Sequence, residues 1–404
     1  MNESPPEPNR FSERALLLTL AAVQFTHILD FMIMMPLGPK FMRAFDISPE
    51  RFGLLLASYS YSAGFAGFLA GFFMDRFDRR RALLALYAGF VLGTLACAVA
   101  PGYWTLMTAR VVAGAFGGVA GSVVLSIVGD VIPSERRGRA MGVVMTAFSV
   151  ASVLGMPVGL SLAERFGWHA PFFVLAAAGA GVFAYAARVL PAMPAHAAHS
   201  AHGAWSRMAA ILSEPNHWRA FALVAVVTSA GAMVFPYMSP SLVFNAGLPE
   251  ALLSLVYLCG GAATIFTANL IGRLSDRHGR VRVFSVIALI SAPLTMAVTH
   301  LPVLPVWQIL VVTTLLNVFM SGRMVPMMAL ITTSVEARHR GGFMSVNSAI
   351  QQMAGGLATT LAAMLVSPGA GGRIEGYGRV GWLSVACLGA GLLLVRRVRA
   401  VPQK

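Results

Sequence analysis

Charge is scarce in this chain, and acid scarcer still: 16 Asp and Glu stand against 30 Lys and Arg in 404 residues, and all four types together make 11%. Soluble domains draw about a quarter of their residues from these types. Most of the chain therefore cannot be the surface of a soluble protein. Cysteine is nearly missing too. Cys97, Cys259 and Cys387 each lie inside an apolar run, which argues against a disulfide framework and a Cys-based metal site. There is no G-x-x-x-x-G-K-[ST] phosphate loop, and no nucleophile triad or metalloprotease signature stands out, so neither ATP drive nor enzyme chemistry is expected. What is present is apolar: 57% of residues are hydrophobic and the mean hydropathy is +0.72. The formal charge of +14 does not point to nucleic acid. That would need one contiguous basic patch, and here the basic residues sit in short clusters between apolar runs.

A membrane-spanning helix needs about 20 mostly apolar residues. Twelve such runs are expected, at 15–37, 52–74, 82–100, 104–129, 140–163, 170–190, 219–244, 250–272, 281–300, 304–331, 342–366 and 380–396. The fold class is thus an all-α membrane protein. The proline-bearing stretch 1–14 is expected to be a cytoplasmic tail, not a cleaved signal peptide. Residues 15–190 form one six-helix bundle and 218–396 a second, joined by an Ala- and His-rich linker at 191–217, with a short tail at 397–404. Most basic residues fall in the loops shared with the two termini, so both termini are expected in the cytoplasm. His196, His199 and His202 in the linker lack the rigid frame that a metal site requires, and no metal is expected.

The two bundles are related. Gly71, Asp75, Arg76, Arg79 and Arg81 recur as Gly272, Asp276, Arg277, Arg280 and Arg282 at an offset of 201 positions, while Arg80 falls on Val281. Glu135, Arg137 and Arg139 recur at the same offset as Glu336, Arg338 and Arg340, and Gly155 as Gly356. Such a repeat fits two bundles related by an axis along the membrane normal, with a cavity between them.

On these residues the chain resembles the major facilitator superfamily of secondary transporters, and within it the drug and sugar efflux families of proton antiporters. The family loop motif G-x-x-x-D-R-x-G-R-R is matched by Gly272, Asp276, Arg277, Gly279 and Arg280. The first copy departs from it, with Asp78 where glycine is usual. The resemblance implies that Asp75 faces a helix terminus of the opposite bundle and that Arg76 pairs with an acid ending the fourth helix, which Asp130 matches; otherwise these arginines only set topology. Leu106, Arg110 and Gly114 are similar to the L-x-x-x-R-x-x-x-G pattern linked to proton coupling. Gly155, Pro157 and Gly159 look like a reduced antiporter motif, serving as a hinge or as a packing kink. Gly167 to Phe172 at the next external turn also resembles the sugar-efflux branch.

Asp30 is the one acid well inside any run, which makes it the candidate proton carrier. Burial disfavours its charge and a nearby cation favours it, so a carboxyl moved between the two would load and release a proton. His27 and Gln24 lie on the same helix face, and Arg110 is expected at a similar depth. The plainer alternatives are a static Asp30 pair with Arg110 or His27, and an Arg110 that reaches the outer interface. Gln24, Phe31, Asn317, Arg323, Asn347 and Gln351 are the candidate cavity residues. Arg323 would attract an anionic group or reach the headgroups. The methionines Met32, Met34 and Met35 would line an apolar cavity or simply pack, and Phe235 to Pro240 would bend the seventh helix into an external gate.

The function so expected is proton-coupled efflux of a small drug-like or sugar-like molecule by alternating access, in the inner (plasma) membrane. The alternatives are proton-coupled or facilitated uptake of a small metabolite, an anionic one in view of Arg110 and Arg323, and a membrane sensor or scaffold without turnover. The expected partners are a small-molecule substrate, protons and the lipid bilayer, with no nucleic acid and no cofactor, the chain acting as a monomer.

Overall fold

The computed structural model describes residues 13–74, 77–191, 193, 208–336 and 339–401. Among these, twelve long helices follow one another. The first six are α1 Glu13–Ile33, α2 Pro49–Phe73, α3 Arg79–Ala98, α4 Tyr103–Val131, α5 from Ser134 to Phe166 and α6 Ala170–Val189. The second six are α7 Pro215–Phe244, α8 Leu253–His278, α9 Arg280–Thr299, α10 Val306–Gly322 continuing as Met324–Thr333, α11 Arg340–Leu365 and α12 Tyr377–Val395. This is the expected all-α membrane fold, with helix ends within a few residues of the apolar runs.

Eleven of these helices are long and apolar enough to cross a membrane. α11 falls short, because Asn347, Gln351 and Gln352 dilute its apolar face, and it packs against protein along α2 and α7. The linker ends sooner than expected. Residues 208–213 are helical, and Met208 and Ile211 are buried in the second bundle. The loops at the end away from the termini hold a short helix, Gly38–Ala44, and a two-stranded turn pairing Ser367 with Glu375.

Packing repeats as the sequence does. α2 on α4, α3 on α4 and α3 on α6 recur as α8 on α10, α9 on α10 and α9 on α12. The two seams between the bundles, α2 with α11 and α5 with α8, are likewise partners under this relation.

The seams are closed at one end only. One apolar core, running from Ile33, Phe41 and Phe52 to Tyr237, Leu242 and Tyr377, draws residues from both bundles, whereas the cores nearer the termini belong to one bundle each. Along α2, Gly53 lies against Tyr237 and Ala363, and Gly64 against Met353, but Gly67 and Gly71 face nothing within 4 Å. On α8, Gly261 lies against Ser152, while Gly272 faces open space. The bundles therefore meet at the far end and part toward the end that carries the termini.

Candidate functional site

Asp30 and Arg110 meet inside the first bundle. Arg110 Nη1 donates to Asp30 Oδ2 at 2.6 Å, with the side chains 1% and 0% exposed. Thr94 on α3 donates to the other carboxylate oxygen at 3.1 Å. The guanidinium also lies 4.3 Å over the ring of Tyr59 on α2, a cation–π contact that gains strength away from water. Four helices thus hold one ion pair. Arg110 does not reach the interface, so the snorkelling alternative is set aside.

Around the pair lie polar atoms with nothing to bond. Both ring nitrogens of His27, Gln24 Oε1, Tyr59 Oη and Arg110 Nε are buried and without a hydrogen-bond partner among the described residues. Buried polar atoms are nearly always paired in native proteins, so this cluster calls for partners from outside the described side chains, water included. His27 packs against Phe90 and Tyr59, with ring centroids 6.0 and 6.4 Å away. The ring of Phe31 lies 5.4 Å from that of Tyr59. Gly117 and Gly121 of α4 give these side chains room, since a Cβ at 117 would sit 2.8 Å from the His27 ring. Gly114 serves the closer approach of backbones: a Cβ there would fall 2.5 Å from the carbonyl oxygen of Tyr59.

Among the described residues, the second bundle holds a buried cation, Arg323, with no acid paired to it. Arg323, 1% exposed, donates from Nη2 to Val227 O at 3.3 Å and from Nη1 to Ser291 Oγ at 3.5 Å. It does not extend to the headgroups. Asn347 is 1% exposed, with neither amide atom bonded, while Gln351 one turn on is half-buried. Asn317 is turned back on its own helix, donating to Thr313 O at 2.9 Å and packing on Gly260. Among the described residues, no hydrogen bond of Arg323 shares a partner with those of Asp30 and Arg110.

The expected hinge is a distorted segment. Ala151–Gly155 forms a π-helical turn between two α-helical pieces, ahead of Pro157. Gly155 and Gly159 let Leu29 and Ile33 of α1 come close, with methyl carbons 2.9 and 2.7 Å from where their Cβ atoms would be. Met34, a candidate cavity residue, instead lies fully buried in the core shared by the bundles.

Asp75 and Arg76 lie outside the described residues, as do His196, His199 and His202. The described partner of Asp130 is Arg79, whose Nε lies 3.1 Å from Oδ2. Asp78 explains its departure from glycine. It caps α3 by accepting from Arg81 N at 2.8 Å, and it accepts from Met193 N at 3.0 Å, tying down the chain beyond α6. In the second copy Gly279 takes φ +89°, and Arg280 donates to Ala329 O and Thr333 Oγ1. With Ile331 at the position of Asp130 there is no acid for it, and the helix end supplies carbonyl and hydroxyl instead. Arg80 donates to Ala187 O at 2.5 Å. Asp276 and Arg277 are exposed.

Two sets of residues escaped the sequence. Thr94 and Tyr59 complete the Asp30 site, and a hydroxyl within an apolar run was the available signal. At the far end Glu250 pairs with Lys40 at 3.6 Å and with Arg43, and Tyr237 donates to Pro49 O at 3.3 Å, bridging the bundles. The segment from Phe235 to Pro240 stays helical and lies in this closure, with Pro240 against Gly38.

Two six-helix bundles, sealed to each other at one end and enclosing buried charges, define a multi-pass membrane transporter. The sequence profile of the Major Facilitator Superfamily matches residues 20–359 and again 221–403. The chain belongs to that superfamily. It is similar to the inner membrane transport protein YdhP of Escherichia coli, 30% identical over 60% of this chain and 62% of that one. A probable sugar efflux transporter of Pasteurella multocida is 22% identical over 69% and 68%. Among solved structures, a bacterial homologue of the human lysosomal transporter Spinster, inward-facing and unoccupied, superposes with a TM-score of 0.79 at 18% identity, covering 98% of this chain and all of that one (100%). That likeness concerns the fold alone.

Proposed function

We propose that this transporter exports a small organic molecule in exchange for protons, by alternating access, across the plasma membrane with both termini in the cytoplasm. The observation that carries the proposal is the Asp30–Arg110 pair at 2.6 Å, ringed by the unbonded nitrogens of His27 and the oxygens of Gln24 and Tyr59. A proton delivered to Asp30 would take the place of the bond from Arg110, whose guanidinium keeps its contact with the Tyr59 ring. In this proposal a substrate at His27 and Gln24 and a proton at Asp30 compete for the same group of side chains, which is what exchange requires. The similarity to a sugar efflux protein supports the outward direction.

Orientation follows from charge. Arg79, Arg80, Arg81, Arg136, Arg137, Arg139, Arg277, Arg280, Arg282, Arg396, Arg397 and Arg399 crowd the end that carries the termini, and cytoplasmic loops carry such excess. The parted seams then open to the cytoplasm, and the Glu250 contacts close the outside. Gly155, Pro157 and Gly159, with the π turn beside them, serve as the hinge of α5, and the two loop motifs with Asp130 bias the two access states.

The test is proton movement in inside-out vesicles with a preset pH gradient, across a panel of drugs and sugars. A compound that dissipates the gradient through the unaltered protein and not through Asp30→Asn supports exchange at this carboxyl; equal dissipation by both contradicts it. A second reading, uptake of a small anion, draws on the acid-free cation Arg323.

A further inference from the structure

The two halves differ most where their chemistry should match. At the repeat offset of 201 positions, Asp30 corresponds to Gly231, and His27 to Thr228. α7 therefore carries no acid where α1 has one. Yet a cation waits beside that position: a Cβ on Gly231 would lie 3.7 Å from Arg323 Nη2, in ordinary contact. Arg323 has no carboxylate partner among the described residues, its two side-chain hydrogen bonds measure 3.3 and 3.5 Å, and its Nε has none. Thr228 Oγ1, one turn before Gly231, is buried and unbonded as well. The facing groups from the other helices are Ser291 on α9 and Cys387 on α12, neither of them an acid.

A buried guanidinium without a counter-charge is costly, and the cost is relieved by an opposite charge that bonds it well. In the first bundle Asp30 supplies that charge from the chain. In the second bundle the chain withholds it, and the glycine in its place is partly open, leaving the approach to the guanidinium unobstructed by any side chain of its own. We infer that Arg323 binds a single negative charge on the transported molecule, a carboxylate or a group of like geometry, which enters over Gly231 and stands where the repeat would have an aspartate. The planar fork of the guanidinium matches a carboxylate's two oxygens, and Thr228 Oγ1, one turn along the same helix, is a buried hydroxyl with no partner among the described residues. The inference rests on the proposed transport reading only in placing the substrate between the bundles. It assigns the substrate class, an organic monoanion, which the proton site alone does not.

The experiment is thermal unfolding of the full chain in nanodiscs at constant ionic strength, with benzoate, its neutral isostere benzamide, or chloride added against sulfate, which is neither a carboxylate nor a monoanion. Four proteins are compared: the unaltered chain, Arg323→Gln, Gly231→Asp and Asp30→Asn. Benzoate is expected to raise the Tm of the unaltered protein by a few degrees, as a ligand specific to the folded state does, and benzamide is not. The benzoate shift is expected to vanish in Arg323→Gln. It should vanish also in Gly231→Asp, which supplies the missing acid from the chain and should itself unfold at or above the unaltered Tm. It should persist in Asp30→Asn, so anion recognition is read separately from proton coupling and survives if the coupling proposal fails. A shift from benzamide equal to that from benzoate, no benzoate shift in the unaltered protein, or one retained in Arg323→Gln overturns the inference. A shift from chloride with none from benzoate makes the counter-ion inorganic and overturns the assignment of a carboxylate substrate.

Discussion

Asp30 and Arg110 lie 80 positions apart and meet at 2.6 Å, neither more than 1% exposed, with Thr94 on the second carboxylate oxygen and Tyr59 under the guanidinium. Each charge answers the other, and breaking one side strands its partner where water cannot replace it. Removing one member of a buried pair costs about 3–5 kcal/mol, much of it the penalty on the charge left behind. Arg110→Gln is therefore expected to lower the unfolding temperature sharply, and Asp30→Asn combined with Arg110→Gln to recover most of the loss. Thermal unfolding in detergent or nanodiscs checks both, and a double variant no better than Arg110→Gln alone would show the pair is not the unit.

At the far end Glu250 holds Lys40 and Arg43 across the bundles, partly exposed. Contacts of this kind contribute about 0.2–1 kcal/mol each, too little to affect folding but enough to bias two access states several-fold. Glu250→Gln is expected to leave stability unchanged and to shift the population away from the form open at the terminus end. Spin labels at positions 81 and 282, in a variant lacking the native cysteines, should report a larger fraction of short distances. An unchanged distribution would mean the apolar closure around Tyr237 sets the balance alone.

The loop copies predict opposite costs for exchanging their residues. Asp78→Ala loses the cap on α3 and the bond from Met193 N, a cost of about 1 kcal/mol for the cap. Gly279 has φ +89° and faces open space, so Gly279→Ala is expected to cost about 1–2 kcal/mol from backbone conformation alone. Asp78→Gly should cost less than Gly279→Asp. Equal effects in unfolding measurements would contradict this account of the asymmetry.

Gly114 lies where α4 touches α2, its missing Cβ 2.5 Å from the backbone oxygen of Tyr59. Because that obstacle is backbone, it cannot rotate away. Gly114→Ala is expected to push α2 outward, lift Tyr59 from Arg110 and lower coupled transport more than expression level. Gly155→Ala meets only Leu29 methyl groups, which move easily, and should be milder. Transport assays at matched protein amounts separate the two.

Much of this was legible beforehand. Hydropathy placed the helices because the bilayer forces each to be long and apolar, and Asp30 stood out because acid is so rare there. The offset of 201 foretold which helices pack alike. Thr94 and Tyr59 were not legible, since a single hydroxyl in an apolar run looks the same whether it faces lipid or a carboxylate. The Glu250 latch depends on how far-end loops meet, and loop charges carry no period. Asp78 looked like a lapse from the family motif until its carboxylate was seen capping α3. Gly231 was invisible for the opposite reason: its meaning lies in an acid it lacks, beside an arginine 92 positions later.

In the proposed exchange Asp30 carries the proton. The most direct measurement is the pH change inside proteoliposomes on adding an exported compound, for the unaltered protein and Asp30→Asn, with compound-for-compound exchange followed in parallel. Asp30→Asn is expected still to exchange compound for compound, since the bundles can still rock, but to move no protons. Proton movement by Asp30→Asn at the unaltered rate would contradict it and leave the Asp30–Arg110 pair a structural tie.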